Sequence, residues 1–307
     1  MNRNTLLPLL VIALLGYLVF GAKYVGNYMC GVSTIPSAVS GAATNSFMPT
    51  KIKKGLWNVS DDNSFQSSAD SYFGFINSKF DYIKPIDDNL KQHCTQTATY
   101  LNNNPERSLN ITGYYSKDEN DESIFPNLGL ARANTIKEYM SSLGVAKNRM
   151  NTSAELVGPD RFNINKLEKG IEFSFTTSST GTANTKVDDI RSRLLGKPLI
   201  LYFGTGENYL RLDEEQKNNI ADLIYYLDNV SESSLEINGH TDKKGKAAKN
   251  ITLSKERAQY VKNYLFKNGG ITMNRMVTNG FGEEQPLVKN NSSANRAKNR
   301  RVEVILK

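Results

Sequence analysis

Residues 234–242 read Ser234-Leu-Glu-Ile237-Asn-Gly239-His240-Thr241-Asp242. Leu235 and Ile237 alternate with polar residues, the pattern of a strand with one face buried, and Gly239 closes the run. Downstream, Asn250 or Thr252 offers a cap for a helix that turns Leu253, Ala258, Val261 and Leu265 inward and stops at Gly269-Gly270. Arg275 to Thr278 is a short strand candidate, and Val302, Val304 and Leu306 alternate in a last one. Upstream, the apolar run Leu199-Ile200-Leu201-Tyr202-Phe203 ends in a Gly204-Thr205-Gly206 turn. A helix is predicted over Asp213–Leu227, with Ile220, Leu223, Ile224 and Leu227 on one face. The order is β-α-β-α-β-β, which makes residues 187–307 a small α/β sandwich with helices on one face.

A fainter copy of this pattern precedes it. Ser108-Leu-Asn-Ile111-Thr-Gly113 parallels Ser234 to Gly239, and Leu101 lies ahead of Ile111 as Leu227 lies ahead of Ile237. The stretch from Leu130 through Arg132 and Ile136 to Tyr139 parallels Lys255 through Arg257 and Val261 to Tyr264. Val145 to Met150 parallels Ile271 to Met276. Three matches in one order at a near-constant offset point to an internal duplication. Trp57 and Val59 are the candidates for the first strand of this middle block.

Composition sets the wider limits. Of 307 residues, 39% are apolar and 22% charged, which excludes a disordered polyelectrolyte and a multi-span membrane protein. Two cysteines and two histidines exclude a disulfide scaffold and a histidine- or cysteine-rich metal cluster. The net charge of +7 favours an anionic partner. Leu6 to Ala22 carries no charge and as a helix would span roughly 26 Å, against a hydrocarbon core of ~30 Å. It reads as an uncleaved anchor, with a cleaved secretory signal as the rival. Either way the rest is exported, and nucleic-acid binding would explain the charge but not the export signal. The first reading places the chain in the inner membrane as a single-pass protein with its bulk in the periplasm. No acidic residue lies in the stretch to relay protons. Residues 24–50, small, polar and Pro-punctuated, read as a linker, and Thr176 to Lys186 as a second one. The expected organisation is therefore a stub and anchor at 1–23, a middle block at 51–175 and a last block at 187–307.

The last block carries a constellation. Gly239-His240-Thr241-Asp242 is followed by Asn250, Leu253-Ser254, Arg257-Ala258, Gly280-Phe-Gly282-Glu283, Pro286 and Asn299-Arg300-Arg301-Val302-Glu303. Over roughly residues 197–307 these resemble the OmpA-like peptidoglycan-binding domain of outer-membrane OmpA proteins, peptidoglycan-associated lipoproteins and MotB-type stator proteins. The resemblance implies two tandem OmpA-like sandwich domains behind one transmembrane helix, the second copy degenerate, in a Gram-negative envelope. It implies recognition of the peptidoglycan stem peptide through diaminopimelate, held by Asp242 and Arg257, with Asn250 and Arg300 beside them and Thr241 and Leu253 lining the pocket. Where the family often has an aspartate after the first-strand phenylalanine, this chain has Gly204; Thr205 or Asn208 would supply that contact.

The chemistry of the residues agrees. Diaminopimelate presents an ammonium and a carboxylate on one carbon. A carboxylate such as Asp242 accepts from the first, and the planar fork of Arg257 suits the second. The middle block has Gly113-Tyr114-Tyr115-Ser116 instead, without the aspartate, and keeps Arg132. It is expected to leave diaminopimelate alone and to serve as a spacer or as a surface for envelope-complex proteins.

Sharper chemistries fail on spacing. Gly239 to Gly245-Lys246-Ala247 has five intervening residues and no hydroxyl after the lysine, so it is no phosphate loop. No serine or cysteine nucleophile accompanies His240 and Asp242, and His93 and His240 fall in different blocks. Neither catalysis, a metal nor a cofactor is expected. His240 reads as a packing and hydrogen-bonding residue, and Cys30 with Cys94 as a disulfide only if an oxidising compartment joins them.

Overall fold

The computed structural model describes residues 57–62, 64–163, 165–177, 180–207 and 209–307. The Leu6–Ala22 stretch, the 24–50 linker, Cys30 and Asn208 lie outside them. Among the described residues no helix is long and apolar enough to cross a membrane. That finding corrects the single-pass inner-membrane placement.

In the middle block, β1 (Trp57–Asp61) and β2 (Phe65–Ala69) form an antiparallel hairpin, and Trp57 and Val59 are buried as the first-strand reading expects. After β3 (Phe75–Ile76), helix α1 (Asp88–Asn103) starts where the Asp87 carboxylate accepts the N–H groups of Asn89 and Leu90. Strand β4 (Arg107–Tyr115) leads to α2 (Leu128–Ser142), capped by Asn127. A 3-10 turn at Lys147–Arg149 enters β5 (Met150–Leu156). Two short strands, β6 (Phe162–Asn163) and β7 (Lys166–Leu167), pair beside β3, and β8 (Ile171–Thr177) completes the block. The main sheet runs β5-β4-β8, with β5 parallel and β8 antiparallel to β4.

The second expected linker is structured. Thr176 and Thr177 finish β8, and Thr180 to Lys186 begin α3 (Thr180–Leu194), whose Ile190 and Leu194 are buried. Polar, small residues hid a helix whose apolar positions come only at its end. Then follow β9 (Leu199–Tyr202) and α4 (Glu214–Asn229), which opens on a capping box between Asp213 and Gln216. Strand β10 (Leu235–Gly239) precedes α5 (Ala247–Gly269), and Gly270 takes the left-handed conformation (φ 66°) that ends it. A 3-10 turn at Met273–Arg275 enters β11 (Met276–Gly280). Helix α6 (Ser293–Asn299), absent from the sequence reading, precedes β12 (Arg301–Leu306). The sheet order is β11-β10-β12-β9, mixed parallel and antiparallel.

The two blocks share more than an order of elements. Leu109 pairs with Met150 as Leu235 pairs with Met276. The Arg149 guanidinium donates to the carbonyls of Leu101, Asn104 and Arg107, from the end of α1 to the start of β4; Arg275 donates to those of Leu227, Val230 and Ser233, at and just beyond the end of α4. A Cβ on Gly113 would fall 2.0 Å from the Gly129 carbonyl oxygen, and one on Gly239 would fall 1.9 Å from that of Ser254. In both blocks the central strand touches the following helix where only glycine fits. The blocks also share a core: Ile124, Phe125 and Ala131 belong to the apolar cluster built by α4, α5 and the last sheet. Residues Lys53–Lys307 form one compact unit.

Candidate functional site

The close contact of Gly239 with α5 brings the end of β10 against the helix that carries Arg257. The loop beyond it is fixed from both sides. His240 N–H donates to the Arg301 carbonyl (2.9 Å) and Thr241 N–H to that of Gly282 (2.8 Å). Asp242 turns inward. One of its oxygens accepts the Lys244 N–H (2.9 Å) and the other accepts Arg300 Nη1 (3.0 Å). Each oxygen retains a lone pair for a further donor.

Arg257 is 0% exposed. Its guanidinium lies 5.1 Å over the Phe203 ring and donates to the backbone carbonyls of Glu207 (3.2 and 3.3 Å), Gly204 (3.2 Å) and His240 (3.5 Å). These are long bonds, and among the described residues none reaches a carboxylate. Burial pulls its pKa down to about 10, the Arg300 charge adds to this, and Asp242 opposes it. It stays a cation at neutral pH, one whose charge is met mostly by dipoles. Asp242 and Arg257 therefore form no ion pair with each other; Asp242 pairs with Arg300 instead. Arg300 also donates from Nε to the Phe203 carbonyl (3.2 Å) and so ties β9 to the loop after β10.

The remaining expected residues take different places. The Asn250 amide bonds Glu283 (2.5 Å) and the Asp242 carbonyl (3.4 Å), so it buttresses the loop from within α5. It does not cap that helix, which begins at Ala247 without a side-chain cap. The Thr241 hydroxyl is buried with no hydrogen-bond partner. Leu253 is half-buried, and Thr205 stands exposed in the turn after β9. Neither nitrogen of the His240 ring has a hydrogen-bond partner, contrary to the expected hydrogen-bonding role. The ring stacks on Phe281 at 5.5 Å, and burial with the neighbouring Arg301 charge pulls its pKa down to about 4 against the pull of Glu303. Arg301 is buried behind the site on Glu303 and the Gln285 carbonyl.

Two contributors escaped the sequence reading, Phe203 and Glu207. Phe203 is the floor beneath Arg257. The Glu207 carbonyl accepts from Arg257, and its carboxyl group lies where a side chain at Gly204 would go, 2.3 Å from that missing Cβ. The signal was present: a glycine where the family often has an acid, with an acid three residues on. Beside this cluster opens a cleft of 530 Å³, lined by Tyr202, Phe203, Gly204, Glu207, Tyr209, Arg211, Ala297 and Lys298.

The arrangement offers a guanidinium in want of an anion, a carboxylate with lone pairs to spare and an adjoining cleft. Residues 202–300 match the OmpA family. The chain is similar to the peptidoglycan-binding protein ArfA of Mycobacterium tuberculosis, 30% identical over 163 residues, 52% of this chain and 47% of that one. It is also similar to the peptidoglycan-associated lipoprotein of Buchnera aphidicola, 27% identical over 148 residues, 48% of this chain and 84% of that one. The crystal structure of the peptidoglycan-associated lipoprotein from Burkholderia pseudomallei aligns with a TM-score of 0.33 at 23% identity, covering 35% of this chain and 89% of its own. The chain spans about half the length of the ArfA relatives it matches.

Proposed function

Because residues 202–300 form an OmpA-family domain, we propose that this chain is a non-catalytic peptidoglycan-binding protein that grips the diaminopimelate of the stem peptide. The carrying observation is Arg257, fully buried and bonded only to backbone carbonyls, beside an Asp242 that can still accept. The ligand's carboxylate takes the Arg257 fork and its ammonium takes Asp242, which Arg300 orients. Two charge-assisted contacts of ~1.5–3 kcal/mol each give roughly millimolar to tens-of-micromolar affinity. That is weak for one site and sufficient on a polymer with many repeats. The middle block is a degenerate OmpA-like copy that leaves the wall alone and offers a surface to envelope-complex proteins.

The test is co-sedimentation of the full chain with purified peptidoglycan. Wild type pellets with diaminopimelate-type wall and much less with lysine-type wall, whose stem lacks the second carboxylate. Asp242→Ala and Arg257→Lys, shown folded by circular dichroism, stay in the supernatant. A folded wild-type chain that also stays there sinks the reading.

A further inference from the structure

Arg132 in the middle block is the counterpart of Arg257, and the match extends to the bonds of Nε and Nη1. Arg132 Nε donates to the Lys79 carbonyl (3.0 Å) as Arg257 Nε does to that of Glu207. Nη1 donates to the Tyr114 carbonyl (2.7 Å) as that of Arg257 does to His240, and both carbonyls follow the glycine that touches the helix. The guanidinium lies 5.3 Å over the Phe75 ring, against 5.1 Å for Arg257 over Phe203. Three residues after each phenylalanine the chain turns through a left-handed residue, Ser78 (φ 60°) and Gly206 (φ 72°).

The Nη2 bonds separate the two: that of Arg257 goes to the Gly204 and Glu207 carbonyls. Arg132 holds a carboxylate, that of Glu119, in a fork of 2.5 and 2.9 Å, with both partners at most 1% exposed. Two backbone donors complete the seat: Ser78 N–H reaches one oxygen (2.9 Å) and Ser116 N–H the other (3.0 Å). Four donors thus converge on one carboxylate, two per oxygen, which saturates its in-plane lone pairs. Holding Ser78 at positive φ costs strain in a residue with a Cβ, and its N–H is spent on this carboxylate.

The loop explains how Glu119 arrives. Helix α5 starts ten residues before Arg257, whereas α2 starts only four before Arg132. The turns that α5 adds are replaced in the middle block by the irregular segment 116–127. That segment sends Glu119 back over Arg132 and Ile124 with Phe125 into the neighbouring core.

We propose that the pocket around Arg132 is a second carboxylate receptor, built like the one at Arg257 and closed by the chain's own Glu119. This rests on reading Arg257 as the seat of the ligand's carboxylate. With Ser116 in the place of Asp242, the Arg132 pocket lacks the acid an ammonium needs, so its ligand class is a simple carboxylate.

Chemical rescue in the full chain tests it. Glu119→Ala should melt below wild type, and sodium acetate should raise its Tm with the logarithm of concentration while leaving wild type unmoved. Acetamide, neutral and of the same shape, should do nothing, and adding Arg132→Lys should abolish the rescue, since lysine has no planar fork. Equal responses of Glu119→Ala and wild type to acetate overturn the proposal, as does a Glu119→Ala chain that fails to fold at every acetate concentration. A second measurement needs no variant at Glu119: calorimetric titration of wild type with meso-diaminopimelate should give one site, lost in Arg257→Lys. Two sites, one of them lost in Arg132→Lys, overturn the closure. The rescue does not involve Arg257, so a wild type that binds no diaminopimelate sinks the wall reading while the acetate response still decides this one.

Discussion

His240 shows how a buried side chain can set a pH limit without touching a ligand. The residue is 1% exposed, and its ring stacks on Phe281 and faces the charges of Arg301 and Glu303. Burial first, and Arg301 second, bring its pKa from 6.5 to about 4. The unfolded chain therefore takes up a proton before the folded one does. The stability this residue confers is complete above about pH 6.5 and is lost progressively towards pH 4, about 3 kcal/mol in all. Urea midpoints measured from pH 8 to pH 4 should stay level to about 6.5 and then fall. In His240→Phe, which keeps the stack, that part of the fall should vanish; an unchanged slope would assign it to the carboxylates. Glu207 makes a different point at the same scale. Its carboxyl group occupies the space that a side chain at Gly204 would fill, while its backbone carbonyl serves Arg257.

Among the elements, the parts that match between the two blocks were legible in the sequence because they do the same mechanical job twice. The Asn-Arg-Met matches at Arg149 and Arg275 are arginines that close the carbonyl ends of α1 and α4, and such a role tolerates little change of residue or spacing. Arg275→Ala should cost about 3 kcal/mol, since three carbonyls at and just beyond the end of α4 lose one cationic donor. Arg149→Ala should cost a similar amount; thermal melts of both would check the equivalence, and a negligible loss in either would break it. Other elements carry no such pattern. The first turns of α3 are Thr, Gly, Ala and Asn, with no apolar period to read. Helix α6 is seven residues long, too short for a pattern. The start of α5 has no capping side chain, which led the reading a turn too far downstream to Asn250. In the site, Asp242, Arg257 and Arg300 could be named because their motifs resemble those of the OmpA-like family, but the pairing of Asp242 with Arg300 depends on how β9, β10 and β12 meet, which no local pattern records. Glu119 was invisible because it acts from an irregular loop.

Taken whole, the described molecule is joined by charge as well as by Ile124 and Phe125. Lys137 of α2 stands 2.7 Å from Asp228 of α4, both nearly buried, at an angle outside hydrogen-bond geometry, so the contact leans on charge. Lys147 adds a bond to the Gly270 carbonyl (2.9 Å) and Lys217 one to Asp121 (3.0 Å). Lys137→Ala should cost about 3 kcal/mol by stranding Asp228, and the double replacement Lys137→Met with Asp228→Leu should recover most of it. Denaturation followed by Trp57 fluorescence, which reports the middle block, and by circular dichroism, which reports both, should coincide in wild type. Separate midpoints would mean that the blocks unfold independently. The pocket's construction also bears on load. Its three charged residues sit on three separate stretches of chain: Asp242 just beyond β10, Arg257 on α5 and Arg300 just before β12. A tug on anything seated there is divided among three roots. Directed along the strands, it strains the ladders that β10 makes with β11 and β12 in shear, all rungs together, where a single root at a sheet edge would let them unzip one by one. A ligand seated there would leave before the sheet behind it came apart.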